Sequence, residues 1–332
     1  MNKEKYFGMV VLLAMSVLVL LAAIKTSDVE NFTTRQVKKG ETVSLLCIEI
    51  YGYYSNDLGE AIAKDNQDIK NINLIYVGQE IRFRKPVATE KKTAEKNKDV
   101  SPLFQQKVDA TQGVVTYVEG NAKLTKKGTD KPEKLTANVV VYPGDIIRTG
   151  DKGRVELIIN RESVVRLKEN TELTIEAFRD LKKNEGKTSL NFSVGSLWSK
   201  LKQFKDKISR FELELPTAIA GVHGTIYQTT VNSDKSAEVK VYDGEVAVSG
   251  KQIKKTNPIG QLEQVAPPHQ VAGPQQVSME EWTKIVRAMQ SIKIDHNGVA
   301  SDATAFQKSP NDDWERWNEE RDQRIAEIFL EK

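Results

Sequence analysis

The sequence predicts a multi-domain chain: an N-terminal membrane helix, a small α+β (βααβ) module, an all-β domain and C-terminal helices. Three observations lead to this prediction. They are an apolar run near the N-terminus, a helix-and-strand pattern before residue 85, and a long region in which apolar and polar residues alternate. The predicted segments are a signal anchor or signal peptide at 1–25, the βααβ module at 33–85, a charged flexible linker at 86–109, the all-β domain at 110–266 and a C-terminal helical segment at 275–332.

Composition argues against nucleic-acid binding and against a fold held by disulfides. The 332 residues include 49 basic and 46 acidic side chains, which gives a formal net charge of +3. So balanced a charge produces no broad basic field, and nucleic acid is therefore not an expected partner. Cys47 is the only cysteine, so no intramolecular disulfide can form and the fold must depend on its apolar cores.

The apolar run Phe7–Ile24 is the strongest targeting signal. Its eighteen uncharged residues follow Lys3 and Lys5 and are just enough to cross a hydrocarbon layer as a helix. The residues around Ala23 fit a signal-peptide cleavage site poorly, so we expect a single-pass inner-membrane anchor. The alternative is export followed by signal cleavage. Both place the body of the chain in the periplasm or elsewhere outside the cytoplasm.

The first module has a helix at its centre with a recognisable start. A short strand, "RQVKK", leads into a turn at Gly40–Thr42, and Thr42 is positioned to cap a helix over Val43–Tyr51. Asp57-Leu58-Gly59-Glu60 has capping-box spacing and predicts a second helix through Asn66. "EIRFR" alternates and predicts the closing strand.

The region from Gly113 to about Val265 has a period of two. "RVELII", "ELTIE", "RFELEL" and "AEVKVYD" alternate apolar and polar residues, and turn residues such as Pro143-Gly144 and Asp243-Gly244 recur every eight to twelve positions. Many short strands at this spacing predict an all-β sandwich, roll or short solenoid. No clean repeat length favours the solenoid over the others.

Two helices are predicted after the β region. Ser278–Glu281 has capping-box spacing, and the apolar residues from Trp282 to Ile292 fall on one helical face. The last helix, Asp312 to Leu330, carries Trp314 and Trp317 near its start. Packing or solvent exposure of the last helix is the favoured interpretation, and docking of a partner through the two tryptophans is the alternative.

The βααβ module resembles a LysM domain, which binds glycans containing N-acetylglucosamine. "VKKGETVSLL", "IAKDNQ" and "INLIYVGQEI" carry the resemblance, which spans Arg35–Arg84. It implies a shallow groove between the loop after the first strand and the loop before the second. The glycan-binding residues that it implies are Gly40, Glu41, Thr42 and Val43 in the first loop, and Asn73, Leu74 and Ile75 in the second.

Such a groove suits a neutral sugar polymer. An N-acetyl group offers an amide donor, an amide acceptor and a methyl, which backbone amides and aliphatic side chains can match. The resemblance therefore implies peptidoglycan as a partner. The alternative is a signalling or assembly adaptor whose module binds a protein or an ion instead of glycan.

Gly113–Ser249 resembles a FecR-type domain, an extracytoplasmic all-β module. "YPGDIIRTGDKGRVELII", "VGSLWSKLK" and "ELPTAIAGVHGTIYQTTV" carry the resemblance. It implies a scaffold or partner-binding role, with an unknown envelope protein as the partner. Members that regulate sigma factors use a helical segment before the membrane span. Only six residues precede Phe7 here, so we do not expect that activity.

No catalytic, metal or cofactor site is predicted. His223, His269 and His296 are scattered, and none belongs to a Cys-His, Ser-His-Asp or zinc-ligand pattern. Cys47 lies in an aliphatic helix, so we expect a buried and inert thiol, and we interpret His223 as a turn residue. The sequence therefore predicts a non-enzymatic cell-envelope protein without a cofactor.

Overall fold

The structure is a computed structural model that describes residues 31–86, 102–107, 111–161, 163–202, 211–222, 224–251 and 282–329. Its chain divides into two compact units. The first contains the described residues before 110 together with Val114–Tyr117 and Thr136–Val140. The second contains Thr111–Gly113, Val118–Leu135 and the described residues from Val141 onward.

Some predicted features lie outside the described residues. They are the membrane segment Phe7–Ile24, most of the linker at 86–109, and the side chains of His223 and His269. Among the helices that the structure does describe, none is long and apolar enough to cross a membrane.

The first unit contains the predicted βααβ arrangement. Strands β1 and β2 pair antiparallel, with Phe32 opposite Arg84 and Gln36 opposite Glu80. The small α+β module expected from the sequence is therefore confirmed. Its elements are β1 at Phe32–Gln36, α1 at Val43–Tyr51, α2 at Asn56–Asp65 and β2 at Glu80–Arg84.

Helix α1 begins and ends at the residues that its chemistry favours. Thr42 is extended, with φ −132°, and its Oγ1 accepts a hydrogen bond from the backbone N of Leu45 at 3.3 Å. At the other end Gly52 adopts φ +84°, a left-handed conformation that suits glycine, and its N donates to the Ile48 carbonyl at 3.0 Å.

Helix α2 begins slightly earlier than the sequence predicts. Its cap is Ser55, whose Oγ accepts from the backbone N of Leu58 at 3.2 Å. The capping box proposed at Asp57 is therefore wrong, because Asp57 already lies in the first turn of the helix. Ser55 directly precedes the helix, and its hydroxyl accepts from one of the backbone N–H groups of the first turn that have no acceptor within the helix.

Cys47 lies in the core of the module, as predicted. Its side chain is completely buried in α1, and the alternating residues Ile81 and Phe83 of β2 are buried as well. Burial raises the pKa of the Cys47 thiol far above its ordinary value, so the thiol stays protonated. This protonation state fits a core side chain and not a nucleophile.

Part of the predicted linker packs on the module. Pro102–Phe104 forms a short 3₁₀ turn, and the buried Phe104 ring meets Tyr51 edge to face with centroids 5.9 Å apart. The Tyr53 hydroxyl donates to the Leu103 carbonyl at 2.7 Å. An isolated Pro-Leu-Phe in a charged tract gives no periodic signal, which explains why sequence reasoning assigned it to a flexible linker.

The rest of the described chain is mostly strand, which confirms the predicted all-β region. The strands that follow the βααβ module form one curled, largely antiparallel sheet. They are β3 Gly113–Glu119, β4 Ala122–Thr125, β5 Pro132–Lys134, β6 Val139–Val141, β7 Ile146–Thr149, β8 Arg154–Ile159, β9 Ser163–Leu167, β10 Glu172–Ala177, β11 Thr188–Leu201, β12 Phe211–Glu214, β13 Ala218–Val222, β14 Ile226–Val231, β15 Ala237–Asp243, β16 Glu245–Gly250, β17 Thr283–Arg287, β18 Gln290–Ile294 and β19 Thr304–Ala305.

The long strand β11 belongs to two ladders of the second unit. Its first half pairs with β10 and, in parallel, with β12, whereas its second half pairs with β9 and β14. Gly195 lies at the change, with φ +110°. A Cβ there would come within 2.5 Å of the Thr171 backbone, so only glycine fits this crossing without a shift.

The predicted helix from Ser278 is wrong over the part that the structure describes. Thr283–Arg287 and Gln290–Ile294 are strands, and they pair with β16 and β15 respectively. Val286 and Ile292 are buried in the observed strands, and they would also lie on the apolar face of the predicted helix. Their spacing alone therefore does not distinguish a helix from a strand. Pairing with existing sheet edges decides between the two.

The last helix, α3 at Asp313–Phe329, packs on one face of the strands. Trp314 is almost completely buried and forms an aromatic cluster with Trp198 and Tyr242, and Trp317 stacks on Trp314 at 5.3 Å between centroids. The packing interpretation of this helix is thereby confirmed.

Helix α3 also covers a charged cluster on β8 and β9. The buried Glu156 carboxylate accepts from Arg166 Nε at 2.8 Å and from Arg321 Nη2 at 2.6 Å. Arg166 Nη1 in turn donates to Asp322 Oδ1 at 2.7 Å. Burial alone would raise the pKa of Glu156, but the charges of Arg321 and Arg166 lower that pKa to about 2 from an ordinary 4.5.

This cluster predicts an acid-sensitive second unit. Glu156→Gln should lower its free energy of unfolding at pH 7 by about 3 kcal/mol, because two buried guanidiniums lose a counter-charge. The folded-state pKa lies below the ordinary value, so this contribution is present above pH 4.5 and is lost as the pH falls toward 2. The difference in the free energy of unfolding between the unmodified chain and Glu156→Gln should therefore shrink as the pH falls from 4.5 toward 2.

Urea unfolding followed by tryptophan fluorescence measures the effect, because all four tryptophans lie in the second unit. Glu327→Gln is the matched control, since Glu327 pairs with Arg324 at an exposed position of the same helix. We expect it to cost no more than about 0.5 kcal/mol. Equal losses for the two variants, or a pH-independent loss for Glu156→Gln, would contradict the interpretation.

Candidate functional site

Two loops of the βααβ module contain the residues that the sequence implies as glycan-binding. The first is a tight turn in which Gly40 has φ +77° and the Lys38 backbone N donates to Glu41 Oε2 at 2.8 Å. In the second, the backbone N of Asn73 donates to Asn71 Oδ1 and that of Leu74 donates to the Asn71 carbonyl, each at 2.9 Å. Side-chain and backbone bonds thus fix both loops.

The predicted residues differ in what they can offer a ligand. The side chain of Val43 is fully buried and packs in the core of the module. Leu74 is 55% exposed and Ile75 is half-buried, so aliphatic surface is available in the second loop. Tyr76, which sequence reasoning left out, is 63% exposed next to them and presents an aromatic ring.

The side-chain amide of Asn138 lies between the two loops. Its Oδ1 accepts from the backbone N of Ser44 at 2.7 Å. Its Nδ2 donates to the Ile72 carbonyl at 3.0 Å and to Asn73 Oδ1 at 2.8 Å. Asn138 is only 6% exposed, so one carboxamide bridges the loops and is sealed from solvent.

A second contact accompanies this bridge. Thr42 Oγ1, which caps α1, donates to the backbone carbonyl of Thr116 at 2.8 Å. The backbone N of Asn138 donates to the Val115 carbonyl at 2.9 Å, which holds the Asn138 segment against β3. All of these groups belong to the first unit of the structure.

The chemistry of this arrangement is recognition of an amide. Ser44 is the second residue of α1, so its backbone N–H has no acceptor within the helix and points out of the helix end. The helix dipole further favours a carbonyl oxygen there. Across from it, Ile72 and Asn73 offer oxygens to an amide N–H. One donor and two acceptors thus converge on one amide group.

The structure brings together part of the predicted site and adds to it. Thr42 donates to Thr116 of β3, Asn73 accepts from Asn138, and the bond from the Asn138 backbone N to the Val115 carbonyl links those two segments. Leu74 and Ile75 follow Asn73 directly in the chain. Ser44, Ile72 and Asn138 were missed. Asn138 is 94 positions from Ser44, and no local pattern connects two residues so far apart.

Histidine, cysteine and acidic side chains in the described part of the chain do not cluster as metal ligands would. No group of three or more His, Cys, Asp or Glu side chains there could hold a metal ion. His296 is exposed in a turn that the Asp295 side chain stabilises by accepting from the backbone N of Asn297 and Val299.

Comparison with known proteins identifies one domain. Residues 145–247 match the family model described as FecR protein, so the FecR-type resemblance is confirmed over that span, from β7 into β16. No curated protein matches the chain.

Two solved structures also align with part of the chain. Both are of a "putative anti-sigma factor" from Parabacteroides distasonis ATCC 8503, at 1.65 and 2.50 Å resolution. They share 14% identity with it and superpose with TM-scores of 0.33 and 0.34. The alignments cover 48% of this chain and 59% of those chains.

The bridge predicts a measurable dependence of the Ser44 amide on Asn138. Asn138→Gly should accelerate hydrogen exchange at the Ser44 N–H about fivefold, the equivalent of about 1 kcal/mol for one lost hydrogen bond. Glycine tolerates the left-handed backbone of Asn138, φ +63°, so the variant removes the carboxamide without adding backbone strain.

Asn170→Gly is the matched control for this experiment. Asn170 also has a left-handed backbone, φ +54°, and its side chain is exposed. Exchange of the Ser44 N–H, followed by NMR, should not change in this variant. Unchanged exchange in Asn138→Gly as well would contradict the bridge.

Proposed function

We propose that this chain is a non-enzymatic binding protein of the cell envelope, whose LysM-like βααβ module binds peptidoglycan. The supporting observation is the amide geometry between the two loops, where the Ser44 N–H faces the Ile72 carbonyl and Asn73 Oδ1 across a single carboxamide. An N-acetyl group of a glycan has a carbonyl and one N–H. It can therefore satisfy the donor and one of the two acceptors.

Apolar surface beside the amide groups supports the same ligand. Leu74 and Ile75 lie next in the chain after Asn73 and retain exposed area for a methyl or a sugar ring. The exposed ring of Tyr76 offers a further flat apolar face. A neutral ligand suits this surface because the loop from Asn71 to Val77 carries no charged side chain.

The FecR domain is proposed to be the scaffold or partner-binding part of the protein, with an envelope protein as its partner. The strands that contain the matched residues, and α3, which packs on one face of the strands, are the surfaces available to such a partner. A membrane anchor over Phe7–Ile24 would confine a weak glycan module beside the wall and raise its effective concentration there. Export followed by signal cleavage is the alternative location.

One observation favours a second function. The group that now fills the amide site is a protein group, the Asn138 carboxamide, and the neighbouring Thr42 hydroxyl also bonds to protein, at the Thr116 carbonyl. This favours an adaptor in which the module binds a peptide segment, its own or that of a partner, and not glycan. The two functions differ in whether a glycan can displace the Asn138 carboxamide from the Ser44, Ile72 and Asn73 groups.

Retention on insoluble peptidoglycan tests the leading proposal. Leu74→Asp should reduce the fraction of the full chain, solubilised in mild detergent, that sediments with purified sacculi by at least about fivefold, since it places a charge where apolar contact is expected. Leu74 is a cleaner position than Thr42. Thr42→Arg would remove the cap of α1 together with any ligand contact.

Val299→Asp is the matched control, because Val299 is 65% exposed in the second unit and receives the same change. It should sediment as the unmodified chain does. Equal sedimentation of all three proteins with sacculi and with an unrelated insoluble polysaccharide would favour the adaptor function. Release of soluble muropeptides by the purified chain would contradict a non-enzymatic role.

A further inference from the structure

The carboxamide of Asn138 has the same hydrogen-bonding groups as the acetamido group of the proposed ligand. Both present a planar amide with a carbonyl acceptor and an N–H donor. Asn138 Oδ1 accepts from the Ser44 backbone N, and Asn138 Nδ2 donates to the Ile72 carbonyl and to Asn73 Oδ1. A glycan amide, which has a single N–H, would need the Ser44 donor and one of the two acceptors.

Occupancy by both ligands at once is excluded by this geometry. The Ser44 N–H is a single donor already bound at 2.7 Å, and the Asn138 side chain fills the space between the loops at 6% exposure. A glycan amide can reach Ser44 only after the Asn138 carboxamide has left. The site is therefore already satisfied by the chain itself.

We propose that Asn138 is a built-in amide ligand that competes with glycan for the Ser44, Ile72 and Asn73 groups. This inference rests on the proposed glycan-binding function. Because Asn138 is part of the same chain, its effective concentration at the site is high, and glycan binds only the fraction of molecules in which Asn138 is released. The apparent affinity for glycan is lowered by that fraction.

The Asn138 segment is built to hold this position. It lies directly before strand β6 and has a left-handed backbone, φ +63°, which asparagine tolerates better than most residues. The bond from its backbone N to the Val115 carbonyl does not involve the carboxamide, so replacing the side chain leaves the segment anchored to β3. Removing only the amide thus tests competition without detaching the segment.

Binding titrations of the full chain with sacculi test the inference. Asn138→Gly should lower the sacculus concentration needed for half-saturation by at least about fivefold, because no Asn138 carboxamide then has to be displaced before the glycan reaches the Ser44 N–H. Asn170→Gly should bind as the unmodified chain does.

The outcomes separate this inference from the function on which it rests. Glycan binding that is equal, or weaker, in Asn138→Gly overturns competition while leaving glycan binding in place. Binding by neither the unmodified chain nor the variants overturns both statements. Tighter binding by Asn138→Gly, with Asn170→Gly unchanged, supports competition at this site.

Discussion

The Asn138 carboxamide is the interaction on which the account of this protein depends. It satisfies a free N–H at the start of α1 and two oxygens of the opposite loop, all within 3.0 Å. A buried donor left without an acceptor costs about 1–3 kcal/mol, so an acceptor such as an amide oxygen must occupy this place whenever it is closed to water. Whether that amide comes from the chain or from a glycan is the functional question.

Sequence reasoning found the module because its signals are local. Thr42 caps α1, Gly52 ends it, and "EIRFR" forms β2 at the expected bounds. The same reasoning missed Ser44 and Asn138. The carboxamide becomes meaningful only when a turn 94 positions away meets the end of a helix. A contact of that kind leaves no period or spacing in the sequence.

In the second unit the alternating pattern predicted the strands but not that helix α3 would pack on their polar residues. Glu156 and Arg166 occupy polar positions of β8 and β9, which the pattern alone places toward solvent. Helix α3 buries both and supplies Arg321 as the counter-charge. The helix predicted from Ser278 failed for a related reason, because Val286 and Ile292 fit a sheet edge as well as a helical face. Tertiary partners decided each case.

The most direct test of the central claim follows the Asn138 side-chain amide itself. Its ¹⁵N–¹H signals, assigned by their absence from Asn138→Gly, can be recorded while an N-acetylglucosamine oligomer is added to the full chain. The account predicts that these signals move toward solvent-exposed positions in step with the Ser44 backbone amide, with one common saturation curve. Asn138 and Ser44 signals that stay fixed while the oligomer saturates other residues, or a spectrum that does not change at all, would contradict it.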